Sequence, residues 1–466
     1  MQAVDEAAPP CPPALTRLLP PTPPVSPPPL STSATPPTSL ASLPTEILSQ
    51  ILSLLPLPSL ASLALVSRSN PPLLPLARKA LYRTLPLRNQ AHGRAAPSGS
   101  SALDSRSTAL LRTLEAHPAL ATLAARIDFD LLSHLSFSEI SALLGRVFAM
   151  CPSLTALKLG AGAHGHGIGF KPLRDALALP PSSSVARGLR SLNVENCAGA
   201  PHTLAAVLVQ LEALEELRVG QFLLEKGDFD LFRLPKCRLR VVVAERGRIT
   251  PIAFDFLTHS SAASLRQASL PVCEKTALDL SPFSSLTSLT LFVSLSSPQP
   301  GLSPAHPSFE RTMSRLSRNF TSTVTSVPFL SSLTLKGSWD APPSTSPFLA
   351  AGSTVPASAL GAGLVGGLQA GQPIDLVLHA RLLHSLPSSS LAALSIRTEL
   401  NALALCAWMD DEAWWKGKED FRLLLYQKLS FSRERREFQQ RVRERVDLAA
   451  GARGGVKVEW MQYEQW

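Results

Sequence analysis

The sequence predicts an α/β chain: an irregular, repeat-built solenoid, preceded by a small three-helix bundle and a disordered Pro-rich tail. Three observations carry this. A Leu-x-x-Leu-x-Leu pattern recurs from Leu154 to Ile396, the composition changes abruptly at Leu43, and 13 of the 42 prolines fall within the first 38 of 466 residues. That proline content is about twice the usual share. With 45% hydrophobic, 17% charged and 6% aromatic residues, the chain is not wholly disordered, and its core is expected to rest on Leu, Ala and Val.

Residues 1–38 place Pro among Ser, Thr and Ala. Proline fixes φ and donates no backbone hydrogen bond, so the segment reads as an extended solvating tail. Its PPTPPVSPPPL string also has the PxxP spacing of an SH3- or WW-type ligand. Residues 41–87 read as a helical bundle. Ile47, Leu48, Ile51, Leu52 and Leu55 mark one face of an amphipathic helix, with Pro44 in its first turn and Pro56 and Pro58 ending it. A second helix begins at Pro58 or Ser59 and carries Leu60, Leu63 and Ala64. A third spans Leu73 to Leu81, with Leu73, Leu74, Ala77 and Leu81 inward and Arg78 and Lys79 outward. So short a bundle has little core of its own and is expected to lean on a neighbour.

The string LPTEILSQILSLLPLPSLASLALVSR, residues 43–68, followed by LYRTLPL at 81–87, resembles an F-box of the fungal type. After Arg68 the chain departs from the family pattern, reading Ser69-Asn70-Pro71-Pro72 where an aromatic or Cys-containing helix is common. The resemblance implies a docking bundle for the adaptor subunit of a cullin-RING ubiquitin ligase, with the rest of the chain choosing a protein target. Carried over by position, Leu43, Pro44, Ile47, Leu48, Ile51, Leu52, Leu65 and Val66 are the implied adaptor-binding residues. Independently, a bundle this short cannot bury all its apolar side chains, and exposed apolar patches usually mark interfaces.

Residues 88–105 have no hydrophobic period and read as a linker. Residues 106–400 read as the repeat domain. The pattern begins at Leu154, Leu189, Leu214, Leu239, Leu265, Leu286, Leu330 and Leu391, at steps of 35, 25, 25, 26, 21, 44 and 61 residues. The central steps match the ~20–29-residue period of leucine-rich repeats, and the long ones need insertions. Each unit predicts a short strand with its Leu side chains inward, followed by helix or loop, and the units must stack to cover their apolar edges. Helices are expected over His202–Leu214 and Glu139–Met150, and inserted loops over 296–310 and 338–372. Cys197 and Cys273 stand at the turn slot of their units, which makes them buried turn residues rather than nucleophiles.

Residues 401–466 read as a helical, Trp-rich cap. Trp408, Trp414, Trp415, Trp460 and Trp466 are five of the six tryptophans. A helix is expected from Lys418 to Ala449, then a VKVEW strand. The tryptophans either close the open end of the array or line a partner groove.

The net charge of +9 is concentrated: residues 71–126 hold eight basic and two acidic side chains. These bases are dispersed and lack interleaved aromatics, so a solvated surface or a dock for an acidic partner is expected rather than a nucleic-acid site. The six cysteines lie at least 36 residues apart, so no CxxC pair exists for zinc or redox chemistry. GAGAHGHGIGF at 160–170 lacks phosphate-loop spacing, and its His164-x-His166 has no third ligand nearby. MDDE at 409–412 reads as a charged turn, and no nucleophile motif is present. The expectation is therefore a non-enzymatic recognition subunit without cofactor or metal, cytoplasmic or nuclear. Its partners are a ligase adaptor and a protein target, not nucleic acid or membrane; a ligase-independent repeat scaffold is the alternative.

Overall fold

A computed structural model describes residues 43–67, 73–88, 103–131, 136–161, 170–179, 183–195, 197, 200–220, 222, 224, 233–244, 249–272, 277–294, 307–338, 391–397, 408, 415, 421–428, 433–451 and 456–463. The expected tail, the Ser69–Pro72 departure, most of the linker, His164, His166, Cys273, MDDE and most of the 338–372 insertion lie outside them.

The described chain begins with helix α1, Thr45–Leu54. Pro44 is its N-cap, with extended backbone, and its carbonyl accepts from Leu48 N–H at 3.0 Å. Leu48 and Leu52, one turn apart, are buried. Pro56 breaks the chain direction, and α2, Leu57–Val66, starts with Pro58 in its first turn, where the missing N–H has no intrahelical partner to lose. This helix buries Leu60. Helix α3, Leu73–Arg83, buries Leu73 and Ala77, exposes Arg78 and Lys79, and packs against both α1 and α2. It passes directly into strand β1, Thr84–Arg88.

From there, strands alternate with helices or loops. Helices α4, Ser105–Ala116, and α5, Pro118–Ala121, lead to β2, Arg126–Leu131; α6, Phe137–Met150, leads to β3, Ala156–Ala161; α7, Phe170–Leu177, and α8, Ser183–Gly188, lead to β4, Ser191–Val194. Next come α9, Pro201–Gln210, and β5, Glu216–Val219; β6, Val241–Val243; α10, Pro251–Thr258, and β7, Gln267–Pro271; β8, Ser288–Ser294; α11, Pro307–Thr325, and β9, Ser332–Ser338. The last elements are β10, Ala393–Arg397; β11, Phe421–Lys428; α12, Arg433–Gly451; and β12, Val456–Tyr463.

All the strands form one 12-stranded sheet in which each pairs in parallel with the next, so sequence order is also spatial order. Alternation fixes the faces, because successive side chains of a strand point to opposite sides. One inward row runs Leu85, Ile127, Leu157, Leu192, Leu217, Val242, Ala268, Leu289, Leu333, Leu394 and Leu423, all buried. The leading leucines of the recurring pattern, from Leu154 to Leu391, are buried as well. Each fully buried Leu contributes roughly 1.5–3 kcal/mol of burial free energy, so the row is a main source of cohesion.

A second ladder lies where the chain enters each strand. The carbonyls of Ala125, Thr155, Arg190, Glu215, Arg240, Arg266, Thr287 and Ser331 each accept two consecutive N–H groups of the following unit, for example Arg190 O from Glu215 and Glu216, both at 2.8 Å. Backbone polar groups at these bends are thereby satisfied, unit after unit.

Three expectations are corrected. The sheet begins earlier than the Leu pattern indicates, because β1 and β2 also belong to it. The helix expected over Lys418–Ala449 is a strand, β11, followed by a helix only from Arg433. Phe421, Leu423 and Leu425 are buried while Arg422 is exposed, a period of two that the Phe421/Leu424/Leu425 spacing disguises as a helical stripe. The loop expected through residue 310 becomes helical at Pro307, whose fixed φ suits a first turn.

Candidate functional site

Helices α1 and α2 carry a concentration of exposed apolar side chains. Residues 43–66 contain one charged side chain, Glu46 in the first turn of α1. Ten large hydrophobic residues are exposed among those described, and five lie here: Ile47 at 42%, Leu54 at 84%, Leu57 at 43%, Leu65 at 62% and Val66 at 77%. The other five are spread singly from Phe137 to Leu448, where isolated exposed apolar groups need no explanation. A local surplus of this kind is the feature that marks interaction surfaces.

The residues singled out in the sequence divide by position. Pro44, Ile47, Leu65 and Val66 are exposed, Leu43 and Ile51 are half-buried, and Leu48 and Leu52 are buried at 2% and 1%. The last two are the buried residues of α1, the helix that packs against α3. Leu54 and Leu57, either side of Pro56, are exposed residues that the helical spacing missed. Leu54 is off the stripe of α1, and the Pro56 break rather than any period places both at a corner. That corner is built by local hydrogen bonds: Leu55 N–H donates to Leu52 O at 3.3 Å, Ser53 Oγ–H to Gln50 O at 2.7 Å, and Leu60 N–H to Pro56 O at 3.1 Å.

The outward sheet face offers a second, polar surface. Near its start the charges are paired: Arg126 with Asp128 and Arg218 with Glu216, each at 2.8 Å. Glu216 also accepts from Ser191 Oγ at 2.9 Å. Partial burial works against its ionisation, yet the hydrogen bonds from Arg218 and Ser191 and the charges of Arg218 and Arg126 outweigh it and hold the carboxyl below its ordinary value. Arg126, the last base of the 71–126 stretch, is thus engaged with carboxylates.

The described cysteines are deep in the core. Cys151, Cys197 and Cys237 are buried free thiols, and Cys197 Sγ–H donates to Leu159 O at 3.6 Å. Burial pushes the Cys197 thiol up to about 12 and those of Cys151 and Cys237 up to about 11, so none is a thiolate at neutral pH. Two of the described tryptophans are internal too, and Trp460 is half-buried. Trp408 and Trp415 are buried with ring centroids 4.8 Å apart, and Trp415 meets Phe421 edge-on at 5.4 Å. Trp415 Nε1–H donates to Trp408 O, and Trp460 Nε1–H to Asp447. The Trp408 and Trp415 rings are packed in the core. Among the described residues no cluster of three or more His, Cys, Asp or Glu has metal-binding placement, and no helix is long and apolar enough to cross a membrane.

Residues 40–69 match the family described as F-box-like, a span that covers α1 and α2. Among curated proteins none matches this chain.

Proposed function

We propose that this chain is the substrate-receptor subunit of a cullin-RING ubiquitin ligase. In this reading α1 and α2 hold the ligase adaptor, and the strand array, a leucine-rich-repeat-like solenoid, captures a protein target. The observation that carries it is coincidence: the F-box-like match at 40–69 falls on the segment that holds half of the exposed large hydrophobic residues described. The adaptor-binding residues are Leu43, Pro44, Ile47, Ile51, Leu65 and Val66 at the surface, with Leu48 and Leu52 anchoring α1 beneath them.

The mechanism is proximity. Holding a target beside a charged ubiquitin carrier raises the effective concentration of the reacting groups, so this chain needs no catalytic residue of its own. The test is recovery of the adaptor by the full chain and by an Ile47→Ala, Leu65→Ala variant. Both positions are exposed, so folding should survive, and loss of two anchors worth roughly 1.5–3 kcal/mol each should weaken adaptor binding at least about tenfold. Equal recovery would overturn the docking role. A ligase-independent scaffold, in which α1–α3 only close the sheet, is the second reading; it is favoured by the packing of α3 on α5 and β1 and by its direct passage into β1. It predicts that same equal recovery.

A further inference from the structure

The strand sequences divide the sheet into three zones of charge. Strands β1–β5 carry Arg88, Arg126, Lys158 and Arg218 against Asp128, Asp130 and Glu216, a near balance tied by the ion pairs described above. Strands β6–β8 carry no charged residue. Strands β9–β12 carry Lys336, Arg397, Arg422, Lys428 and Lys457 against Glu459 alone.

The basic zone is arranged in pairs. Lys336 and Arg397 are cross-strand partners, and so are Arg422 and Lys457. Like charges set directly opposite one another destabilise a sheet, and departures of this kind from local preference tend to mark functional sites. Between the two basic rows runs a row of Thr334, Ser395, Leu424 and Glu459. Arg422 and Lys457 are exposed, Lys336 and Leu424 half-buried.

At the floor of this row is an unsatisfied group. Ser395 follows the buried, inward-facing Leu394 in β10, so by alternation its side chain belongs to the outward face, yet it is only 6% exposed. Its Oγ has no hydrogen-bond partner among the described residues. Buried hydroxyls are nearly always paired, and one left open beneath cationic neighbours is set to donate to an incoming acceptor. Lys336 and Arg422 each stand one strand across and two residues along from Ser395, on opposite diagonals, about 8 Å away by strand geometry.

We propose that the outward face of β9–β12 binds a carboxylate-rich, acidic segment of a protein partner. Lys336, Arg422 and Lys457 supply the complementary charge and the Ser395 hydroxyl a hydrogen bond; the Glu459 carboxylate bounds the site at its β12 side. The inference rests on the receptor reading and specifies which part of the array takes the target and by what chemistry.

The test is fluorescence anisotropy of a labelled glutamate-rich peptide with the full-length chain. Expected is salt-sensitive binding, weakened at least about tenfold by Lys336→Glu with Arg422→Glu, because reversal turns attraction into repulsion. The control pair Arg126→Glu with Arg218→Glu changes net charge equally and should leave affinity within about twofold if the site is local. Ser395→Ala removes a hydroxyl without disturbing the sheet and should cost about ten- to a hundredfold, as for a hydrogen bond to a charged group. Should the reversals lower the melting temperature, Lys336→Gln with Arg422→Gln replaces them. No binding by the wild type, equal loss in the control pair, or tighter binding of an RNA of equal charge would each overturn the proposal. Adaptor recovery is measured on the same variants: its retention alongside lost peptide binding leaves the ligase reading standing, whereas its failure with peptide binding intact defeats that reading alone.

Discussion

Cys151, Cys197 and Cys237 show how a residue's role follows from its surroundings. Their spacing already excluded a paired metal or redox motif, and Cys197 occupies the buried turn slot its unit implied. The size of the effect depends on the surrounding core, which withholds the solvation a thiolate needs and raises all three thiols above their ordinary 9.0. A raised folded value means that the native state holds its protons to higher pH than the unfolded chain does. The stability these thiols contribute is therefore fully present below about pH 9 and is lost as pH rises from there through about 11 to 12. Denaturant titrations at pH 8 and pH 10.5 should show the midpoint falling at the higher pH, with Cys197→Ala reducing that fall. Alkylation of these positions at pH 8 should be slow in the folded chain and fast in denaturant, as read by mass spectrometry; rapid native-state labelling would contradict their burial.

Among the elements, helices with a strong cap or stripe were legible, and the ambiguous apolar runs were not. Helix α6 has its Ile140, Leu144, Val147 and Phe148 buried, and its start is fixed by a reciprocal box in which Ser136 Oγ accepts from Glu139 N–H and the Glu139 carboxylate accepts from Ser136 N–H at 2.8 Å. Strand β11 was unreadable because FRLLLYQ has apolar residues at both helical and alternating spacing. Its neighbours decide the matter, since β10 and β12 both pair with it over the same residues. The two periods make different forecasts. Leu423 is fully buried and Leu424 half-buried, so Leu423→Ala should cost about 2–5 kcal/mol and Leu424→Ala markedly less, measured by chemical denaturation. A helical stripe would reverse that order.

For the molecule as a whole, the decisive feature is continuity. Arg83 O accepts from Ala125 N–H at 3.0 Å, and β1 pairs with β2 along its length, so the helical segment runs into the sheet rather than hanging from it. A chain shortened to begin at Leu73 retains α3 and β1 and should melt cooperatively as a monomer. One beginning at Asn89 loses Leu85 and Leu87, bares the edge of β2 beside Ile127 and Phe129, and should aggregate or melt at least several degrees lower, read by size-exclusion chromatography and calorimetry. By itself the sequence determined the mixed α/β character, the strand positions from Leu154 to Ile396 and the apolar helices at 43–66, because each is encoded in local periodicity and proline placement. The tertiary structure alone decided where the sheet begins and ends, which apolar side chains of α1 and α2 remain at the surface, and that Lys336, Arg422 and Lys457 share one face. Those properties depend on which strands become neighbours, and residues as distant as Lys336 and Arg397 are brought together only by the register of the sheet.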